Sequence, residues 1–179
     1  DLGMMMTTAG DAGAVQALVA CNETSAAYGL QLTAAQAQAL LDSRRQTLQR
    51  TGRIEFGGGV LEQMIRLFCD SPYLHQDNYE ETLHELVALF YQFKNETEDL
   101  VGDRALLQYM KDAFDGTCRG SLELLGGMVL PEMARRQLRR GGMVFVTAET
   151  QMEGLKHEYA FATRDGWRFD GAPVTVRFD

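Results

Sequence analysis

The sequence predicts an α+β fold, predominantly an α-helical bundle with a small C-terminal antiparallel β element. Three observations lead there: a strong helical period in YEETLHELVALFYQFK, further apolar-periodic runs punctuated by Gly and Pro up to Gly141-Gly142, and a switch to strand-like alternation after Gly142. The implied organisation is an N-terminal segment over 1–21, a bundle over 22–142, and a β segment over 143–179 packed on the bundle.

Asp1 to Gly10 carry no structural signal, and Asp11 to Ala20 suit a short helix. Thr33 caps a helix over Ala34 to Arg50 in the pattern Thr33-x-x-Gln36, and Gly52 stops it. Its core side reads as Ala37, Leu40, Leu41 and Leu48, with Arg44, Arg45 and Arg50 turned outward. Gly57-Gly58-Gly59 then precedes the apolar run Val60, Leu61, Met64, Ile65, Leu67, Phe68, which should end near Asp70 because Ser71 precedes Pro72.

Tyr79 to Lys94 reads as the central helix, with Tyr79, Leu83, Leu86, Val87, Phe90 and Phe93 on one face. Asp77 fits its cap, Glu80 and Glu81 fit the positive end of its dipole, and Lys94 closes it. Its length is about 25 Å, enough to cross a small domain. A polar connection leads to Asp103, which reads as the cap of Arg104 to Asp115, with Gly116 as the stop. Ser121 starts a short helix that Gly126-Gly127 should break, and Pro131 suits the first turn of a last one. Beyond it, Met143 to Thr147, Lys156 to Thr163, Trp167 to Phe169 and Val174 to Phe178 are β-prone, and Asp165-Gly166 signals a hairpin.

Composition narrows the function. The formal charge of −8 over 179 residues opposes nucleic acid or an anionic membrane as a partner. Between Asp70 and Asp99 eight acids face one base, Lys94, a local charge of −7 that suits either a solvated face or a partner with a basic surface. Cys21, Cys69 and Cys118 form no C-x-x-C pair, which points to a reducing cytoplasm and away from a disulfide framework or zinc. Leu18-Val19-Ala20-Cys21 only superficially resembles a lipoprotein cleavage site, because the preceding stretch holds Asp11 and no basic residue. The apolar runs are too short to span a bilayer.

The chemical motifs are incomplete. The three glycines before a helix lack the Lys-Ser/Thr pair of a phosphate loop and read as a hinge or cap. Glu81-x-x-His84 has metal-helix spacing but no second copy, so it reads as an exposed structural pair; His75 and Asp77 are the nearest further ligand types. Cys69 beside Asp70, with His75 or His84 as a base, has the residue types for thiol catalysis, although Cys69 ends an apolar run and suits a core. Arg135, Arg136, Arg139 and Arg140 match the cations expected near a helix C-terminus.

From about Asn22 to Leu125 the chain resembles a family of uncharacterised bacterial proteins, a domain of unknown function. The runs that carry the resemblance are Glu55-Phe56-Gly57-Gly58-Gly59, Cys69-Asp70-Ser71-Pro72-Tyr73, Tyr79-Glu80-Glu81-Thr82-Leu83, Phe93-Lys94-Asn95-Glu96, Phe114-Asp115-Gly116 and Gly120-Ser121-Leu122-Glu123. The resemblance implies a cytoplasmic bacterial protein and brings no activity, cofactor or catalytic residue.

The expectation is a module that binds a protein or a small ligand, with no cofactor and no metal. Its candidate surface is Gly57, Gly58, Gly59, Asp70, Tyr73, His75, Glu80, Glu81 and His84. The alternative is an enzyme, metal-dependent or not, with its site near the Gly57 loop and the Cys69 to His84 region.

Overall fold

The computed structural model describes residues 2–139 apart from Gly57 and Gly58, with side chains from residue 11 onward. Beyond Arg139 it describes the backbone of 145–147, 158–160, 162–163 and 166–167. In order come α1 (Leu2–Ala20), α2 (Asn22–Ser25) running into a 3₁₀ turn (Ala26–Tyr28), α3 (Ala34–Arg50), α4 (Gly59–Phe68), α5 (Gln76–Glu96), α6 (Asp103–Asp115), α7 (Leu122–Leu124), a π-helical turn (Leu125–Val129) and α8 (Leu130–Arg139).

The fold class is all-α, which corrects the expected α+β. Every element between Leu2 and Arg139 is helical. The described backbone beyond it holds only two antiparallel pairs, Phe145–Thr147 with Glu158–Ala160 and Ala162–Thr163 with Gly166–Trp167. Strands of two and three residues in isolated pairs cannot present an apolar face wide enough to pack as a layer. The expected strands at Phe169 and Val174 to Phe178, and the turn residue Asp165, lie outside the described residues.

The chain divides into two compact units, Asp1–Ala88 and Leu89–Asp179, and the division falls inside α5. In the first unit α1 packs on α3 and α4, and α2 on α4. Its core includes Leu18, Leu40, Leu61, Phe68, Leu83 and Leu86, all essentially buried. The second unit buries Phe90, Phe93, Leu106, Phe114, Leu125 and Leu130, and the Phe90 and Tyr91 rings meet edge to face at 4.9 Å. The whole predicted stripe of α5, from Tyr79 to Phe93, is buried.

Local chemistry sets the helix ends. Thr33 and Gln36 form the expected capping box, with Gln36 N–H on Thr33 Oγ1 at 3.1 Å and Thr33 N–H on Gln36 Oε1 at 2.9 Å. Past α3, Gly52 takes φ of 72° while the Arg53 N–H reaches back to the Leu48 carbonyl at 2.9 Å, a Schellman closure that favours a residue without a Cβ.

Other expectations need correction. The segment before Asp11 is helical, part of the 19-residue α1. Gly102, not Asp103, is the N-cap of α6, and Asp103 instead meets the Lys94 ammonium. The cap of α5 comes from Asn78, whose Oδ1 accepts the His75 N–H at 2.8 Å, while Asp77 lies in the first turn. Gly126-Gly127 does not break the chain's helical run; the backbone widens into the π turn and continues into α8. At Gly126 an added Cβ would stand 2.7 Å from Leu89 Cδ2, so a glycine there lets this turn approach α5. Arg44 is buried on Glu55 at 3.5 Å, and Arg45 pairs with Asp11 at 2.5 Å and Asp42 at 2.9 Å, so neither is the free outward cation expected.

Candidate functional site

Most of the predicted surface gathers around the entry to α5, within the first unit. Asp70 follows α4 and is exposed, and Tyr73 is half-buried in the connection. The Tyr73 N–H donates to Ser71 Oγ at 3.2 Å, and its carbonyl accepts Asn78 Nδ2 at 3.2 Å. His75 stands exposed immediately before the helix. Gln76 then reaches 45 residues back: its Nε2 donates to the Gln31 carbonyl at 2.9 Å, and its Oε1 accepts the Gln31 N–H at 2.8 Å. Asn22 grips Leu32 in the same two-way manner at 2.9 and 2.8 Å. These amide clamps join α2, the Leu30 to Leu32 segment and the start of α5, replacing backbone pairing that an irregular segment lacks.

Sequence reasoning missed Asn22, Gln31, Gln76 and Asn78. Asn78 had a local signal, since an acceptor at the third helical position is where a reciprocal cap falls. The Gln31–Gln76 clamp had none, because its partners are distant in sequence.

On α5 the His84 ring meets Glu80, Nε2 to Oε2 at 3.0 Å, and both side chains are about a third exposed. The expected partner was Glu81, one turn away at i+3. The observed pair is at i,i+4, leaving Glu81 exposed to solvent. Among the described residues no group of three or more His, Cys, Asp or Glu is placed to hold a metal ion. Gly59 opens α4, whereas Gly57 and Gly58 lie outside the described residues. The structure therefore gathers Asp70, Tyr73, His75, Glu80, Glu81 and His84 along one connection and the first turns of one helix.

Cys69 is buried, and its thiol donates to the Arg66 carbonyl at 3.4 Å. That environment is of the inert kind, in contrast to the exposed electropositive setting a nucleophilic thiolate needs. Burial pushes the Cys21 and Cys118 thiols up. The Tyr79 hydroxyl faces inward near Ser25, whose own hydroxyl donates to the Leu30 carbonyl at 2.7 Å. Burial pushes the phenol up to about 12; the neighbouring serine tempers that shift without meeting hydrogen-bond geometry.

In the second unit Glu132 is the counterion of the arginine cluster, at 2.6 Å from Arg135 and 3.8 Å from Arg136. Arg136 also donates to the Tyr109 hydroxyl at 3.3 Å. Arg139 is exposed, and Arg140 lies outside the described residues.

A family of unknown function, DUF6323, matches residues 17–143. The chain belongs to this family. The DUF6323 match takes in α2 to α8 and only the last turn of α1, and so includes every predicted site residue. No curated protein and no solved structure matches the chain. Among the described residues no helix is long and apolar enough to cross a membrane.

Proposed function

We propose that this DUF6323 chain is a protein-binding module of the bacterial cytoplasm, acting by contact and not by catalysis, and that the start of α5 is its docking face. The observation that carries this reading is the uncompensated charge there. Asp77, Glu81 and Glu85 are exposed and make no ion pair among the described interactions, and no Lys or Arg occurs from residue 67 through 93. The exposed His75 and half-buried Tyr73 add hydrogen-bonding and apolar contact to the same face. A partner with clustered Lys or Arg is the chemical complement, and its association is faster at low salt. The thiols of Cys21, Cys69 and Cys118 are all buried, which agrees with a reducing compartment.

The test is capture from bacterial extract at two ionic strengths, with Glu80, Glu81 and Glu85 reversed together to Lys as the control. These side chains lie off the buried stripe, and the Glu80–His84 pair is exposed enough to contribute under about 1 kcal/mol, so the fold should survive. Capture that weakens with salt and disappears in the variant supports the reading. Capture indifferent to both would make the acidic face solubilising surface only.

A further inference from the structure

The residues after the Schellman closure of α3 are arranged the reverse of an ordinary surface segment. Ile54 and Phe56 are 84% and 91% exposed, the two most exposed large apolar side chains described, while Arg53 before them and Glu55 between them are half-buried. No strand is formed at 53–56, but alternation of exposure with period two is the pattern of an extended segment, in which the side chains of Ile54 and Phe56 share a face and their backbone N–H and C=O groups share an edge. Neither Ile54 nor Phe56 makes a hydrogen bond among the described interactions. The stretch is thus an apolar face above an unused edge, the condition under which another strand can add.

The other face is held down by charge. Glu55 gives one oxygen to Arg44 at 3.5 Å and the other to Arg53 Nε at 3.3 Å. This anchors the segment to the buried Arg44 of α3.

We infer that the occupant of this edge is a second copy of the same segment, paired antiparallel across a two-fold axis at Ile54. The charges select that arrangement. Arg53 and Glu55 stand one residue on either side of Ile54, so an antiparallel pairing centred there sets Arg53 opposite the partner's Glu55 and Glu55 opposite the partner's Arg53. Opposite charges facing each other across a ladder are stabilising, and like charges are not. A parallel, in-register pairing would instead place Arg beside Arg and Glu beside Glu. The same two-fold brings Ile54 against the second copy's Ile54 and sets each Phe56 opposite the glycine at position 52 of the other copy, and one self-complementary patch generates a closed dimer. This contact uses residues apart from the α5 face and does not depend on its reading.

Sedimentation velocity on the full chain over a micromolar concentration range tests the inference, with hydrogen exchange followed at 53–56. The expected result is a monomer–dimer equilibrium in which the Ile54 amide is protected more strongly at high concentration. Ile54→Lys and Phe56→Ser should each weaken the dimer by roughly tenfold or more, the loss of about one buried apolar side chain. Ile54→Pro, which removes the edge donor, should do the same. Because both side chains are exposed, the variants should retain the wild-type circular dichroism and melting curve. A chain that is monomeric throughout, with no concentration-dependent protection, would overturn the inference. So would a dimer that survives all three variants, since its interface would lie elsewhere.

Discussion

The Lys94 ammonium and the Asp103 carboxylate meet at 2.8 Å, with the lysine side chain 6% exposed and the aspartate 47%. Lys94 also donates to the Val101 carbonyl at 2.8 Å and stands 3.5 Å from Asp99. One buried cation thus closes the loop between α5 and α6, where Glu98 and Asp99 take positive φ of 54° and 59°. The partners differ in solvation, so their removal should differ in cost. Lys94→Met leaves the Val101 carbonyl without its donor and should destabilise by about 1–3 kcal/mol. Asp103→Asn removes a half-exposed charge and should cost under about 1 kcal/mol. Urea denaturation of both variants checks the asymmetry; equal losses would mean that the ion pair, not the carbonyl, is the dominant contact.

Gly126 and Leu89 make a second test. Alanine at Gly126 gains about 1 kcal/mol of helix propensity but brings its Cβ to 2.7 Å from Leu89 Cδ2. In the wild-type background the gain should be offset by overpacking, which costs about 1–3 kcal/mol. In a Leu89→Ala background the clash is absent, and Gly126→Ala should stabilise by up to about 1 kcal/mol. A double-mutant cycle measures the coupling, and zero coupling would contradict the close approach.

Tyr79→Phe should be nearly neutral, within about 1 kcal/mol, or stabilising. The ring is buried, while the hydroxyl is a buried polar group without a hydrogen-bond partner, so deleting it removes a desolvation penalty and keeps the packing. Thermal melting distinguishes this from a clear drop, which would reveal an occupied bonding partner for the phenol.

Asp11 provides the pH prediction. Burial alone raises its pKa, but hydrogen bonds from Arg45 and Gln38, with the Arg45 charge, outweigh that and leave it lowered. A carboxylate whose folded pKa is depressed contributes stability above its unfolded pKa, about 3.9, and loses it as pH falls through the folded value. Asp11→Asn should therefore be less stable than wild type near neutrality, and the gap should close below about pH 4. Denaturation midpoints of the two proteins across that range provide the check, and a pH-independent gap would rule out the ionic contribution.

What the sequence determined by itself was the set of features whose causes lie within about one helical turn. The Thr33–Gln36 box, the Gly52 closure and the buried stripe from Tyr79 to Phe93 all follow from side-chain period and capping chemistry. The candidate surface was legible in the same way, as polar residues at the start of α5, although period alone did not decide between Glu80 and Glu81 as the partner of His84. The β-prone stretch after Gly142 was overread, because alternation in sequence marks where strands can pair but not how far, and the described pairs are only three and two residues long. Tertiary structure decided which charges are buried and what they hold. Arg44 meets Glu55 across 11 residues, Arg45 meets Asp11 across 34, and Gln31 meets Gln76 across 45. The π turn at Leu125 to Val129 likewise depends on how near Gly126 comes to Leu89, a distance set by packing. A polar side chain reads as solvated in sequence because water is its default partner, and only the packed chain can supply a different one.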